Sequence, residues 1–210
     1  MMKTTLAVAA LAATLAGSAQ AQVCASYPTV DGGLSLGGRI DFPEDLDSFG
    51  VEGSFNARGP LSVFGGLNVV SQDDVDDSGQ DVFFAGVAFE TPRLGALLGP
   101  TVSACPQARF EYVDLKGASA FNVPIGLGFG ATLATSPSGP TISPYVVPQL
   151  VYTRFELDDE LGGASESETN FGLRGGALLT FGMFFVGGEL NYLAADDSDT
   201  TFGIRAGVRF

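Results

Sequence analysis

Histidine is missing from this chain, and so is tryptophan. Without histidine no side chain has an ordinary pKa suited to acid–base work near neutral pH, and the usual zinc ligand sets cannot be assembled. Basic residues are scarce, with 10 Lys and Arg against 24 Asp and Glu for a net charge of −14. No basic patch is available to neutralise phosphates, which excludes nucleic acid as a partner. Long apolar runs are missing as well. Beyond residue 21 no stretch approaches the 18 or so apolar residues of a membrane-spanning helix. The i, i+3, i+4 spacing of an amphipathic helix is also absent there.

What is present begins with an export signal. Lys3 supplies a short positive region, Leu6 to Gly17 an apolar one, and Ala19-Gln20-Ala21 a small-residue cleavage pattern. Residues 1–21 therefore read as a secretory signal peptide, and 22–210 as one mature domain. Cys24 lies just past the expected cut, but Val23 stands where a lipoprotein site carries a small residue. The only other cysteine is Cys105. In an exported chain a disulfide between the two can persist.

Read at period two, the mature chain yields ten strand-like segments: 33–42, 49–58, 61–70, 81–90, 102–112, 121–133, 141–155, 170–181, 183–193 and 201–210. In the last, Phe202, Ile204, Ala206, Val208 and Phe210 share one parity, while Thr201, Gly203, Arg205, Gly207 and Arg209 share the other. Such alternation predicts a strand with one apolar and one polar face. Residues 141–155 are the ambiguous member, because Pro144 and Pro148 interrupt them. Strand-length segments divided by turn signals indicate an all-β protein.

The connections are chemically asymmetric. Those after the first, third, fifth, seventh and ninth segments, with their flanking residues, hold 18 of the 24 acids, including Asp73, Asp74, Asp76 and Asp77. The alternate connections near Gly59-Pro60, 91–100, 136–140 and 181–182 hold none. A chain that crosses ten times, with short turns at one end and longer polar loops at the other, has the anatomy of an antiparallel transmembrane β-barrel. Ten strands are expected, with eight as the alternative and both termini at the periplasmic, short-turn end.

The terminal alternation ending on Phe210 looks like the C-terminal signal of Gram-negative outer-membrane proteins. The mature chain resembles the small outer-membrane barrels of the outer-membrane protein A and X, Ail and outer-membrane protein W kind. The resemblance implies a place in the cell outer membrane, among outer-membrane lipid and lipopolysaccharide. It implies the barrel-assembly machinery as a partner during biogenesis, with Phe202, Ile204, Ala206, Val208 and Phe210 as the signal. Tyr112, Tyr145, Tyr152 and Tyr192, with Phe42, Phe49 and Phe155, are the expected interfacial aromatics.

The polar parity carries Arg39, Arg58, Arg109, Arg174, Arg205 and Arg209 together with Asp41, Glu52, Glu90, Glu111 and Glu189. Inside a narrow barrel these charges are expected to pair in a lumenal network that fills it. Cys24 and Cys105 both fall at the short-turn end, where a disulfide would tie the N-terminal segment across the barrel mouth. The enzymes built on such barrels, of the phospholipase, lipid A deacylase, palmitoyltransferase and omptin protease types, rely on a histidine that this chain lacks. The adjacent carboxylates Asp73/Asp74 and Asp158/Asp159 have no placed nucleophile beside them. Gly126, Gly128 and Ala131 make a G-x-G-x-x-A match in strand rather than helix context, which does not suit a dinucleotide. Those glycines instead make room for bulky side chains across the lumen. Asp73, Asp74, Asp76 and Asp77 are weak candidates for a divalent cation, outside any EF-hand register.

The expectation is thus a non-enzymatic outer-membrane barrel with a structural or surface-interaction role and no cofactor. Two alternatives stand beside it. One is a narrow porin passing ions or small solutes; the other is a soluble exported barrel that carries a ligand and turns its apolar parity inward.

Overall fold

The computed structural model describes Tyr27 and residues 33–42, 47–57, 59–71, 80–91, 102–115, 117–134, 139–157, 163–195 and 199–210. The strand segments are β1 (Leu34–Phe42), β2 (Asp47–Asn56), β3 (Leu61–Ser71), β4 (Gln80–Phe89), β5 (Val102–Leu115), β6 (Ala118–Ala131), β7 (Leu133–Ala134), β8 (Thr141–Leu157), β9 (Ser165–Phe181), β10 (Phe184–Ala194) and β11 (Asp199–Arg209). Two-residue β7 continues β6 past Thr132, and both pair with β8. The wall therefore has ten staves rather than eight.

Every stave pairs antiparallel with the next. The first and last meet from Ser35↔Arg209 to Phe42↔Phe202. Leu34 and Phe210 finish that seam with backbone hydrogen bonds of 3.1 and 2.8 Å. Closure pairs the backbone around the wall, which is the condition for a sheet to stand in hydrocarbon.

Alternation decides which solvent lies on each side. Leu36, Ile40, Val51, Leu67, Ile125, Leu150 and Leu190 point outward and are exposed, whereas Arg39, Glu52, Asn68, Arg174, Glu189 and Arg205 point inward and are buried. The apolar belt runs over every stave, far beyond the few hundred Å² that a soluble protein leaves exposed. The barrel is a transmembrane one. Its polarity overturns the soluble, ligand-carrying alternative, which needs the apolar parity inside.

The two ends differ as the loop composition predicts. Even-numbered crossings end at one rim, where Phe181 and Phe184 are joined by a tight turn with Gly182 at φ 59°, a conformation that side chains disfavour. Odd-numbered crossings end at the opposite rim, and the sequence places its acidic connections after them. Phe42, Phe49, Tyr112, Tyr152, Phe155 and Tyr192 face outward toward that acidic end. Tyr145 does not join them. It lies on the inward parity of β8 and is buried in the lumen, correcting its expected place among the interfacial aromatics.

Residues 141–155 prove to be part of one 17-residue strand despite their prolines. Pairing with β9 continues past both Pro144 and Pro148. Pairing with β6 instead skips the positions opposite Val147 and Pro148. A second gap, between β5 and β6, falls opposite Pro124. A proline has no N–H to donate, so each ladder is interrupted where the ring faces its neighbour.

Strand length also varies around the wall. About 9–11 tilted residues cross a bilayer, which matches the 9 residues of β1 and the 10 of β4. The 17 residues of β8 and of β9 continue well past that. Residues 165–170 of β9 pair with β8 on one side, whereas pairing with β10 ends at Phe171↔Ala194. At about 3.3 Å per residue, these six residues raise a sheet edge of roughly 20 Å above the acidic end. Among the described residues nothing pairs with it.

Candidate functional site

The lumen is stacked in three layers. Its floor, at the tight-turn end, is apolar: Tyr27, Phe64, Phe84, Ala88 and Cys105 form one buried cluster, and Tyr145, Val147, Leu178 and Phe185 another. Phe64 and Phe84 arrive from β3 and β4 on the inward parity. Tyr27 comes from the chain ahead of β1 and stacks on Phe64, ring centroids 4.6 Å apart. Glycine makes this possible. A Cβ on Gly86 would press against the Phe64 ring at 2.5 Å, and one on Gly66 against Phe84 at 2.7 Å.

Cations cap the floor. The Arg109 guanidinium lies 4.1 Å from the Phe84 ring centre, and that of Arg205 lies 5.3 Å from the Tyr27 ring centre. Both are within cation–π range.

Above it lies a lattice of charge centred on Glu189. Its carboxylate meets Arg205 Nη2 at 2.9 Å and Arg39 Nη2 at 3.0 Å, with Arg174 Nε at 3.9 Å. Tyr145 donates its hydroxyl proton to Glu189 Oε2 at 2.5 Å. Arg205 also reaches Glu52 Oε1 at 3.5 Å. Arg39 Nε donates to both oxygens of Asp41, two residues along β1. Gly203 stands opposite Asp41 in the register, where a Cβ would collide with its carboxylate. Desolvating these charges is expensive, so such a lattice persists only because each charge meets its opposite.

The third layer is a cup of about 160 Å³ in the half of the lumen nearer the acidic loops. Arg39, Asp41, Arg109, Glu111, Arg174 and Glu189 contribute its charges. Arg109 and Glu111 pair at 2.7 Å on β5, and Arg174 Nη2 donates to Gln107 Oε1 at 2.8 Å. Asn68, Gln149 and Asn191 supply amide groups around its wall.

Of the expected network, the structure brings together Arg39, Asp41, Glu52, Arg174, Glu189 and Arg205, with Arg109 and Glu111 across the cup. Two members stand elsewhere and are corrected. Glu90 lies just past the end of β4, at the rim, and accepts a hydrogen bond from Ser103 Oγ at 3.0 Å. Burial raises its carboxyl pKa above the ordinary value, and the Ser103 bond partly offsets this. Arg209 is the last residue of β11, and its Nε donates to the Gly182 carbonyl at the rim. Neither side chain reaches the central lattice, because each sits at the end of its strand.

Arg58, Asp73, Asp74, Asp76, Asp77 and Cys24 lie outside the described residues. Cys105 is fully buried in the floor, and no described cysteine is a free thiol. Among the described residues no group of three or more acids or cysteines is placed to hold a metal ion. Tyr145 and Gln107 complete the lattice but were not expected there. Their signal was parity alone, since each shares the inward face of its strand with charged or tightly packed side chains. The glycine expectation is refined at Gly126, which makes room for Val147 and Gln149 rather than for an arginine or tyrosine.

No protein-family model matches the chain, and no curated protein does. Solved structures do. The β domain of the Bordetella autotransporter BrkA superimposes with a TM-score of 0.53 at 15% identity, over 87% of this chain and 85% of that one. This is the fold of a bacterial outer-membrane β-barrel. The N-terminal barrel domain of Pseudomonas aeruginosa OprF (10% identity, 86% and 98% covered, TM-score 0.39) and Ail of Yersinia pestis (14%, 85% and 95%, 0.26) are also similar. At such identities the likeness concerns the fold alone.

Proposed function

We propose that this chain is a non-enzymatic outer-membrane β-barrel that meets its partners at the cell surface. In this reading residues 1–21 direct export, and both ends of the barrel domain lie in the periplasm. The acidic loops face outward, flanked by lipid and lipopolysaccharide, and the barrel-assembly machinery reads the strand ending on Phe210.

The raised edge of β9 carries the reading. A strand that outruns its neighbour presents unpaired backbone groups on which an extended segment of another protein can align. Glu166 and Glu168 on that strand are exposed. They deter self-pairing and favour a partner with basic side chains. The filled lumen argues against the porin alternative, since apolar clusters close the floor and the charges above it are engaged with one another.

Orientation and role can be tested together. A Ser167→Cys variant is expected to react with a membrane-impermeant maleimide on whole cells; protection until the cells are lysed would reverse the orientation. Replacing residues 152–169 by a two-residue turn should leave the heat-modifiable barrel intact and abolish binding of extended basic peptides to whole cells. Undiminished binding would remove the edge from the proposal.

A disulfide between Cys24 and Cys105 belongs to the same proposal. It closes a loop of roughly 80 residues and contributes up to about 4 kcal/mol in the chain-entropy account. Thiol labelling of the oxidised, unfolded protein should modify neither cysteine, and modification of both would exclude the bond.

A further inference from the structure

We infer, resting on the reading of the β9 edge proposed above, that this edge selects an antiparallel partner strand carrying two lysines or arginines one residue apart. The spacing follows from which backbone groups of β9 are free and from the face that its acids share.

Hydrogen-bond phase settles the free groups. Leu157 donates its N–H to the Ala164 carbonyl at 2.9 Å, so Ala164 turns its backbone toward β8. The β8–β9 register runs on without a break, and alternate residues of a strand aim their N–H and C=O to opposite sides. Glu166, Glu168 and Asn170 therefore bond toward β8, while Ser165, Ser167 and Thr169 point the other way. The same phase turns Phe171 to β10, where it stands opposite Ala194 as the last pair of that ladder. Beyond that pair, Ser165, Ser167 and Thr169 each leave one donor and one acceptor unmatched among the described residues.

Side-chain parity places the charge. Glu166 and Glu168 share the parity of Arg174, which points into the lumen, so they stand on the sheet face above its mouth. Both are exposed, and neither joins an ion pair among the described residues. Glu156, on the other face of the hairpin, is already held by Arg154 at 2.6 Å. The uncompensated acids of this hairpin thus lie on its lumen side.

A strand laid antiparallel on this edge takes the place that β10 vacates beyond Ala194 and runs in the same direction. Antiparallel pairing is also the more stable kind per residue. Its bonded residues meet Thr169, Ser167 and Ser165 in turn, and the residues between them fall directly opposite Glu168 and Glu166. Those are the non-hydrogen-bonded positions, where facing residues stand closest, with Cα atoms about 4.5 Å apart. Opposite charges there stabilise the pair and like charges oppose it. Adjacent basic residues cannot substitute, because the second of them turns to the outer face. A second copy of this hairpin is excluded as well, since an antiparallel pair centred on Ser167 sets glutamate against glutamate.

The test titrates the full-length barrel in lipid nanodiscs with two threonine peptides of equal length and charge, followed by NMR. One has its two lysines separated by a single threonine, and the other has them adjacent; threonine favours the extended backbone in both. The spaced peptide is expected to bind about threefold to fivefold more tightly, the worth of one cross-strand charge contact. N-methylation of the threonine between the lysines removes the donor to the Ser167 carbonyl and should weaken binding about tenfold, whereas methylation of a lysine amide, which points away from β9, should not. Ser167→Pro deletes an N–H on the free side only, so it should keep the heat-dependent gel shift and bind the spaced peptide about tenfold more weakly. Should that variant fail to fold, Glu166→Gln combined with Glu168→Gln stands in and is expected to abolish the preference between the two peptides. Equal binding of both peptides by the wild type, or methylation effects that do not alternate, would overturn the paired strand and leave only an acidic patch. No saturable binding of the spaced peptide would overturn the spacing rule, while whole-cell binding of longer basic peptides that is lost with the shortened hairpin would still uphold the edge as a partner surface. A Ser167→Cys label that reacts only after lysis, with the spacing preference intact in nanodiscs, would uphold the spacing rule and reverse the orientation.

Discussion

The ring of Tyr27 lies over that of Phe64 at 4.6 Å and 22°, although Tyr27 precedes the first strand and Phe64 belongs to the third. The contact draws the chain ahead of β1 into the lumen, where Tyr27 is all but fully buried. It completes the floor. Replacing a buried aromatic by alanine costs about 3–5 kcal/mol, enough to release this contact. The wild-type barrel is expected to be silent in planar bilayers, and Tyr27→Ala to show discrete conductance steps. If the variant folds and stays silent, the cluster of Tyr145, Val147, Leu178 and Phe185 and the charge lattice close the lumen without help from Tyr27.

Glu189 is the single anion shared by three arginines, so its loss leaves several buried cations undercompensated. Glu189→Gln is expected to lower stability by about 3–5 kcal/mol, the usual consequence of removing one partner from a buried ion pair. An internal control is available in Arg154, whose 2.6 Å pair with Glu156 is more than two-fifths exposed on both sides. Arg154→Ala should change stability by no more than about 1 kcal/mol. Urea midpoints of the heat-modifiable form decide both; similar midpoints for the two variants would mean that the lattice is well hydrated.

Much of this architecture is legible in the sequence because a barrel wall is a period-two object. Parity separates Arg39 and Asp41 from Ile40, and Glu189 from Leu190, without any tertiary knowledge. Loop charge then sorts the ends. Two things are not legible. Which inward charges meet depends on stagger between strands far apart in sequence, so Arg39 and Glu189 could be placed on one face but not in one ion pair. Tyr27 lies in no alternating segment, and its place in the floor is set by the Phe64 and Phe84 rings that receive it. Pro148 misleads for a related reason. A proline forbids only the hydrogen bond on its own side, and whether a strand can spare that bond depends on the neighbour.

Glu90 sits at the rim, outside the spanning strands, where burial holds its carboxyl above the ordinary value. The sign follows from linkage: a carboxyl whose folded pKa is raised contributes stability below its unfolded pKa and loses it as pH rises through the folded value. At neutral pH the ionised Glu90 therefore weakens the fold. Glu90→Gln is expected to raise the urea midpoint at pH 7 and to lose that advantage below about pH 4, where the wild-type group is protonated in both states. A midpoint lowered at pH 7 would show that the Ser103 hydrogen bond to the carboxylate outweighs the burial.

The closing seam offers the sharpest test of the link between sequence and assembly. Phe210 exchanges backbone hydrogen bonds with Leu34 while its ring lies exposed on the outer face. Phe210→Ala keeps the backbone pair and removes only the ring, whereas Gly207→Val drives a side chain into the Leu36 carbonyl and the backbone of Gly37 across the seam. If the ring serves as a recognition signal, Phe210→Ala should fold normally when refolded into lipid vesicles yet reach the outer membrane at a severalfold lower level. Gly207→Val should fail in both settings, because its defect lies in closure itself. Equal outer-membrane levels for Phe210→Ala and wild type would leave the terminal phenylalanine a lipid contact and nothing more.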